Sequence, residues 1–109
     1  MPHLDAADSV LVVIDAQPGF YGPSRHDVDR ALFASALARS AWVAGVAAAL
    51  DVPAVLTEED AATNGPTAAP ICKAVAADAP VFVKQVFGAD ANPEIDDAVR
   101  RHGRGCVVL

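Results

Sequence analysis

The chain has 109 residues, with 8 Lys plus Arg against 14 Asp plus Glu and a formal net charge of −6 at pH 7. That length holds one domain at most. That charge lacks the basic face nucleic acid requires and offers nothing to an anionic membrane surface. With 53% hydrophobic residues, much of it alanine, the chain is not intrinsically disordered. No run approaches about 18 consecutive apolar residues, so no membrane span is expected.

Residues 1–8 carry no basic segment and no apolar run, so no secretory signal is read there. Cys72 and Cys106 are too few for a disulfide framework or a four-cysteine zinc site. A reducing, cytoplasmic location is the expectation.

Ser9-Val-Leu-Val-Val-Ile14 is a continuous β-branched run, as in a strand covered on both faces. Asp15 and the pair Pro18-Gly19 bound it, and the loop to about His26 is predicted irregular. A long helix is predicted over Asp27–Leu50, with Ser24 and Asp27 as N-cap candidates. Its buried face is expected to hold Val28, Leu32, Ala36, Val43, Ala47 and Leu50. Pro53 ends it, and Ala54–Thr57 is a second strand. Residues 58–66 make a polar loop, and Thr67 caps a helix running to about Ala77.

Val81–Lys84 is a third strand. Asn92-Pro93 starts a helix as N-cap and first-turn proline. It runs to about His102, where Gly103 stops it. Cys106–Leu109 is a fourth strand. The order β-α-β-α-β-α-β predicts a three-layer α/β fold, a Rossmann-like parallel sheet with helices on both faces. The chain stops inside the fourth strand, and it is expected to be the truncated first part of a longer domain.

Ligands of open α/β sheets bind beyond the carboxyl ends of the strands. There this chain offers Asp15, Thr57-Glu58 and Lys84. Lys84 interrupts an apolar stretch, so its stem is expected to be buried, and a buried lysine needs a partner. Asp15, at the end of another strand, is the natural one. Such a pair can deprotonate a nucleophile and then stabilise negative charge. On pattern alone, a snorkelling Lys84 and a turn-forming Asp15 are the somewhat favoured reading.

The segments carrying these residues are Leu11-Val-Val-Ile-Asp-Ala-Gln-Pro-Gly-Phe20, Val52–Asp60 with Asn64–Thr67, and Val83-Lys-Gln-Val-Phe-Gly-Ala89 with Asn92–Ile95. In that order and spacing, the sequence resembles the N-terminal portion of the isochorismatase-like cysteine hydrolases. The resemblance implies an Asp–Lys–Cys triad in which Asp15 is the general base and Lys84 positions and stabilises charge. A cysteine thiolate then attacks a small amide or carbamoyl-type carbonyl. In the family that cysteine follows the fourth strand, which places it beyond Leu109. Cys106, before the apolar run of that strand, and mid-helix Cys72 are expected to be packing residues.

Gln17, Phe20, Glu58 and Phe87 are candidate substrate-binding residues, though core packing accounts for Phe20 and Phe87 equally well and a solvated loop acid is the favoured reading of Glu58. The family's metal-binding members carry an Asp-x-His pattern after the second strand, and Glu58–Gly65 has no histidine. No metal and no other cofactor is therefore expected. A small-molecule substrate and a homo-oligomer are the expected partners. Some family members instead cleave a vinyl ether without a cysteine nucleophile.

Two other functional classes compete. One is a non-catalytic truncated relative or interaction module. The other is a phosphoryl-transfer receiver domain, which needs paired acids after strand one and an aspartate where Lys84 stands. A dinucleotide-binding domain lacks its Gly-x-Gly-x-x-Gly.

Overall fold

The structure, a computed structural model, describes residues 3–21, 28–85 and 92–109. The β-branched run Ser9–Ile14 forms β1, the first four residues of which are buried. It pairs in parallel with β2 (Ala54–Glu59) on one side and β4 (Cys106–Val108) on the other. β3 (Val81–Lys84) pairs in parallel with β2, which gives the strand order β3-β2-β1-β4. Chain direction across the sheet reverses between β1 and β4. The carboxyl end of β1 therefore stands at the switch point where such sheets bind ligands.

Alternation along the strands sorts the core. Leu11, Ala54 and Leu56 share one face with Ala44 and Ala47 of α1 (Arg30–Ala49) and Ile71 of α3 (Ala69–Ala74). Val12 and Ile14 point the other way and share a cleft with Ile95 of α4 (Pro93–Arg100). This is the predicted α/β arrangement.

α1 starts at Arg30 with Asp29 as its N-cap, its carboxylate accepting from the Leu32 N–H at 3.1 Å. The predicted caps Ser24 and Asp27 lie outside the described residues. The buried face also differs from the predicted one. Ala47 is buried as predicted, but it is joined by Ala44, with Leu37 and Ala41 half-buried, whereas Leu32, Ala36, Val43 and Leu50 are exposed. The helix is apolar on nearly every side, so periodicity selects no face, and the small alanines allow the closest approach to the sheet. By length and composition α1 is able to cross a membrane, with a mean hydropathy of 1.4. A search for consecutive apolar residues passes over it because Arg39 and Ser40 interrupt the run.

β2 extends two residues past the predicted Thr57, because Glu58 and Glu59 pair with Val83 and Lys84 of β3. The predicted loop after it contains a single helical turn, α2 (Ala61–Asn64). α3 is shorter than predicted, and its N-cap is Ala68, without a side-chain cap. The Thr67 hydroxyl that was expected to cap it donates instead to Glu58. α4 follows its signals, with Asn92 accepting from the Glu94 N–H and Pro93 in the first turn. Gly103 takes the left-handed φ of 62° beyond its end.

Candidate active site

Asp15 is the first residue after β1 and has a left-handed backbone, φ 51°. Aspartate is among the few residues that tolerate this region. The conformation has a consequence for direction. Ile14 pairs with Thr57, so the two share a face, and alternation would send Asp15 to the opposite one. Leaving the pleat brings the Asp15 carboxylate back to Thr57, whose hydroxyl donates to Oδ1 at 2.9 Å. The Asp15 N–H donates to the Thr57 carbonyl at 3.1 Å.

Lys84 ends β3 opposite Glu59, on the same face as Thr57. Its side chain passes the end of β2, and Nζ donates to Asp15 Oδ2 at 2.8 Å. The lysine side chain is 0% exposed and that of Asp15 19%. A charge-assisted bond of this length is a strong one, and the snorkelling alternative for Lys84 is removed. The carboxylate thus follows β1, and β2 and β3 each bring one donor to it. A carboxylate held by an ammonium, with part of its surface open, can accept a proton from an incoming nucleophile. The ammonium can then stabilise the negative charge that develops.

The other candidate residues are placed differently. Gln17 is 1% exposed. Its Nε2 donates to the carbonyls of Glu59 and Gly65 at 3.1 and 2.7 Å, and its Oε1 accepts from the Glu59 N–H at 2.7 Å. Its amide therefore ties the loop after β1 to the end of β2. Glu58 is also buried, on the opposite face from Thr57, where Oε2 accepts from the N–H and the hydroxyl of Thr67 at 2.7 and 2.8 Å. Phe20 lies half-buried on a short helical turn, Pro18–Tyr21. Phe87 lies outside the described residues. A cleft of about 310 Å³ runs along β1 under α1 as far as Ala16, without Asp15 or Lys84 in its lining. Among the described residues no three His, Cys, Asp or Glu side chains come together as a metal site.

No family model matches the sequence, and no curated protein sequence matches it significantly. Solved structures match its fold. The YcaC gene product of Escherichia coli, described as an octameric hydrolase of unknown specificity, aligns over 98% of this chain and 52% of its own, at 21% identity and a TM-score of 0.77. YcaC of Pseudomonas aeruginosa, solved with hexane-2,5-diol and covalent acrylamide, aligns over 95% and 50%, at 23% identity and a TM-score of 0.76. The MAR1 ribonuclease of Caenorhabditis elegans aligns over 89% and 47%, at 23% identity and a TM-score of 0.73. The chain shares the fold of these structures, a parallel α/β sheet of the Rossmann-like type. The chain spans about half the length of these structures.

Within this fold the two cysteines stand away from Asp15. Cys106 pairs with Ser9, at the amino end of β1, while Asp15 follows the carboxyl end. Cys72 is exposed on α3, its thiol 3.7 Å from the Thr67 carbonyl. Thr57, which holds both the backbone and the side chain of Asp15, was read from the sequence only as a strand end. The available signal was a hydroxyl completing an otherwise aliphatic strand beside the ligand-binding edge.

Proposed function

We propose that this chain carries the acid–base pair of an isochorismatase-like hydrolase that cleaves a small amide or carbamoyl-type C–N bond. The observation behind this reading is the 2.8 Å contact between wholly buried Lys84 and partly open Asp15 at the sheet's switch point. In the reaction, Asp15 takes the proton of a cysteine thiol, and Lys84 holds the carboxylate in place and supports the developing charge. The thiolate adds to the carbonyl carbon, and the amine leaves with a proton to give a thioester. Water then hydrolyses the thioester, releasing the acid and restoring the thiol. The nucleophile is assigned to residues outside these 109. A covalent acrylamide in Pseudomonas aeruginosa YcaC fits a nucleophilic group in that protein, since acrylamide is an electrophile.

A second reading is a non-catalytic interaction module. The placement of both cysteines away from Asp15 favours it. Hydrolysis of a panel of small amides, carbamoyl compounds and a vinyl ether separates the two. The protein from its native source is expected to turn over a C–N substrate, with kcat/KM falling about 100-fold or more in Lys84→Ala. The 109-residue chain alone is expected to be inactive. Turnover by that chain, lost in Lys84→Ala, would show that no outside nucleophile is required. Native turnover indifferent to Lys84→Ala would remove the acid–base role. Cleavage of the vinyl ether alone would replace the C–N substrate.

A further inference from the structure

Thr57 fills a position for which the sheet needs only an aliphatic side chain. It follows Ala54, Val55 and Leu56 in β2, pairs with Ile14 of β1 and is 0% exposed. Valine has nearly the same shape, the same fit to a strand, and no hydroxyl to desolvate. A buried hydroxyl is destabilising unless it is hydrogen-bonded. Here the bond goes to Asp15 Oδ1 at 2.9 Å. The Thr57 carbonyl also accepts the Asp15 N–H, so one residue holds both the backbone and the side chain of Asp15.

The geometry points to Thr57 as a positioning residue for Asp15, a role that rests on the reading of Asp15 as general base. Asp15 has left the pleat, so strand neighbours no longer dictate where its carboxylate points. Two donors replace them: Lys84 on Oδ2 and Thr57 on Oδ1. They come from different strands and together fix the carboxylate plane. The orientation of the remaining lone pairs, which can accept a nucleophile's proton, is then fixed as well. Lys84 alone would leave the carboxylate free to turn about Cβ–Cγ. Positioning of this kind governs how often a base is correctly aimed.

The test is the carboxyl-carbon NMR resonance of Asp15 in the 109-residue chain, in wild type and in Thr57→Val, Thr57→Ser and Lys84→Met. The isosteric Thr57→Val is expected to move or broaden the resonance by more than a linewidth while cooperative thermal unfolding is kept. Thr57→Ser, which retains the hydroxyl, is expected to restore the wild-type signal. Thr57→Ala reads the same quantity should the valine variant not fold. An Asp15 resonance unchanged in Thr57→Val or Thr57→Ala overturns the positioning role, as does failure of Thr57→Ser to restore it. Lys84→Met distinguishes the two levels. If it shifts the resonance and loss of the hydroxyl does not, only the role of Thr57 fails. If it leaves the resonance unmoved, the Asp15–Lys84 pairing fails.

Discussion

Lys84, on β3, and Asp15, beyond β1, meet across the intervening strand β2 with Nζ 2.8 Å from Oδ2. The contact joins residues 69 apart in sequence, so it forms only once all three strands are in register. The lysine is wholly buried, and the aspartate keeps a fifth of its side chain in contact with solvent. That asymmetry suits a group held firmly from below and reached from above.

Lys84→Met removes the cation from Oδ2. Breaking a buried pair typically costs about 3–5 kcal/mol, and the solvent that reaches Asp15 lowers this to about 2–3 kcal/mol. Urea unfolding is expected to show the loss as a lower midpoint at unchanged slope. The double variant Asp15→Asn/Lys84→Met is expected to lose less than the sum of the singles. Arg100→Ala, which breaks the exposed Arg100–Asp96 pair at 2.8 Å, is the control and leaves the midpoint within scatter. A Lys84→Met midpoint as unaffected as that control contradicts the pairing.

Gln17→Ala deletes three hydrogen bonds from the loop after β1, two to Glu59 at the end of β2 and one to Gly65 beyond it. Leaving buried backbone groups unsatisfied costs about 1–3 kcal/mol each, and water entering the space recovers part, so about 3 kcal/mol is expected overall. Hydrogen exchange at the Glu59 amide should accelerate strongly, because Gln17 Oε1 is its acceptor. Unchanged exchange there would show that the clamp does not hold the segment.

Gly19→Ala places a Cβ onto the backbone carbonyl of Asn64, where neither side can yield by turning a side chain. The loop after β1 and α2 then have to move apart, and stability falls by about 1–3 kcal/mol, as for other overpacked sites. Gly65→Ala is a different case: its Cβ meets no atom within 4 Å, and only the φ of 74° opposes it. Thermal melts that rank Gly65→Ala as the more damaging of the two contradict this packing.

Much of the fold was legible because its signals are local. The β-branched run of β1, the Asn92-Pro93 start and Gly103 stop of α4, and the alternation of strands with helices each follow from a few neighbouring residues. The face of α1 was not legible, since alanine covers most of the helix and only the sheet decides which alanines are buried. The site divides the same way. Asp15 and Lys84 could be picked out because strand ends locate charged groups. Gln17 and Glu58 looked alike as polar residues near that edge, and only long-range bonds to Gly65 and to Thr67 show that their side chains hold backbone and neighbouring loops. Thr57 needed the left-handed turn at Asp15, which no composition rule announces.

Leu32 and Trp42 on α1, Leu50 at its C-cap and Leu109 after β4 are 67%, 70%, 57% and 82% exposed. Apolar surface of this kind drives association, and β4 pairs only with β1 among the described residues. The chain is expected to self-associate as its concentration rises, with a blue shift of Trp42 fluorescence as the indole leaves water. Sedimentation as a monodisperse monomer, with no shift of that fluorescence, contradicts the expectation.

The most direct measurement is the intact mass of the protein from its native source. The proposal that Asp15 and Lys84 await a nucleophile from outside this chain predicts a mass about twice 11.2 kDa, as for the neighbouring structures of which it spans half. A mass of 11.2 kDa would contradict it and leave the Asp15–Lys84 pair without a nucleophile to serve.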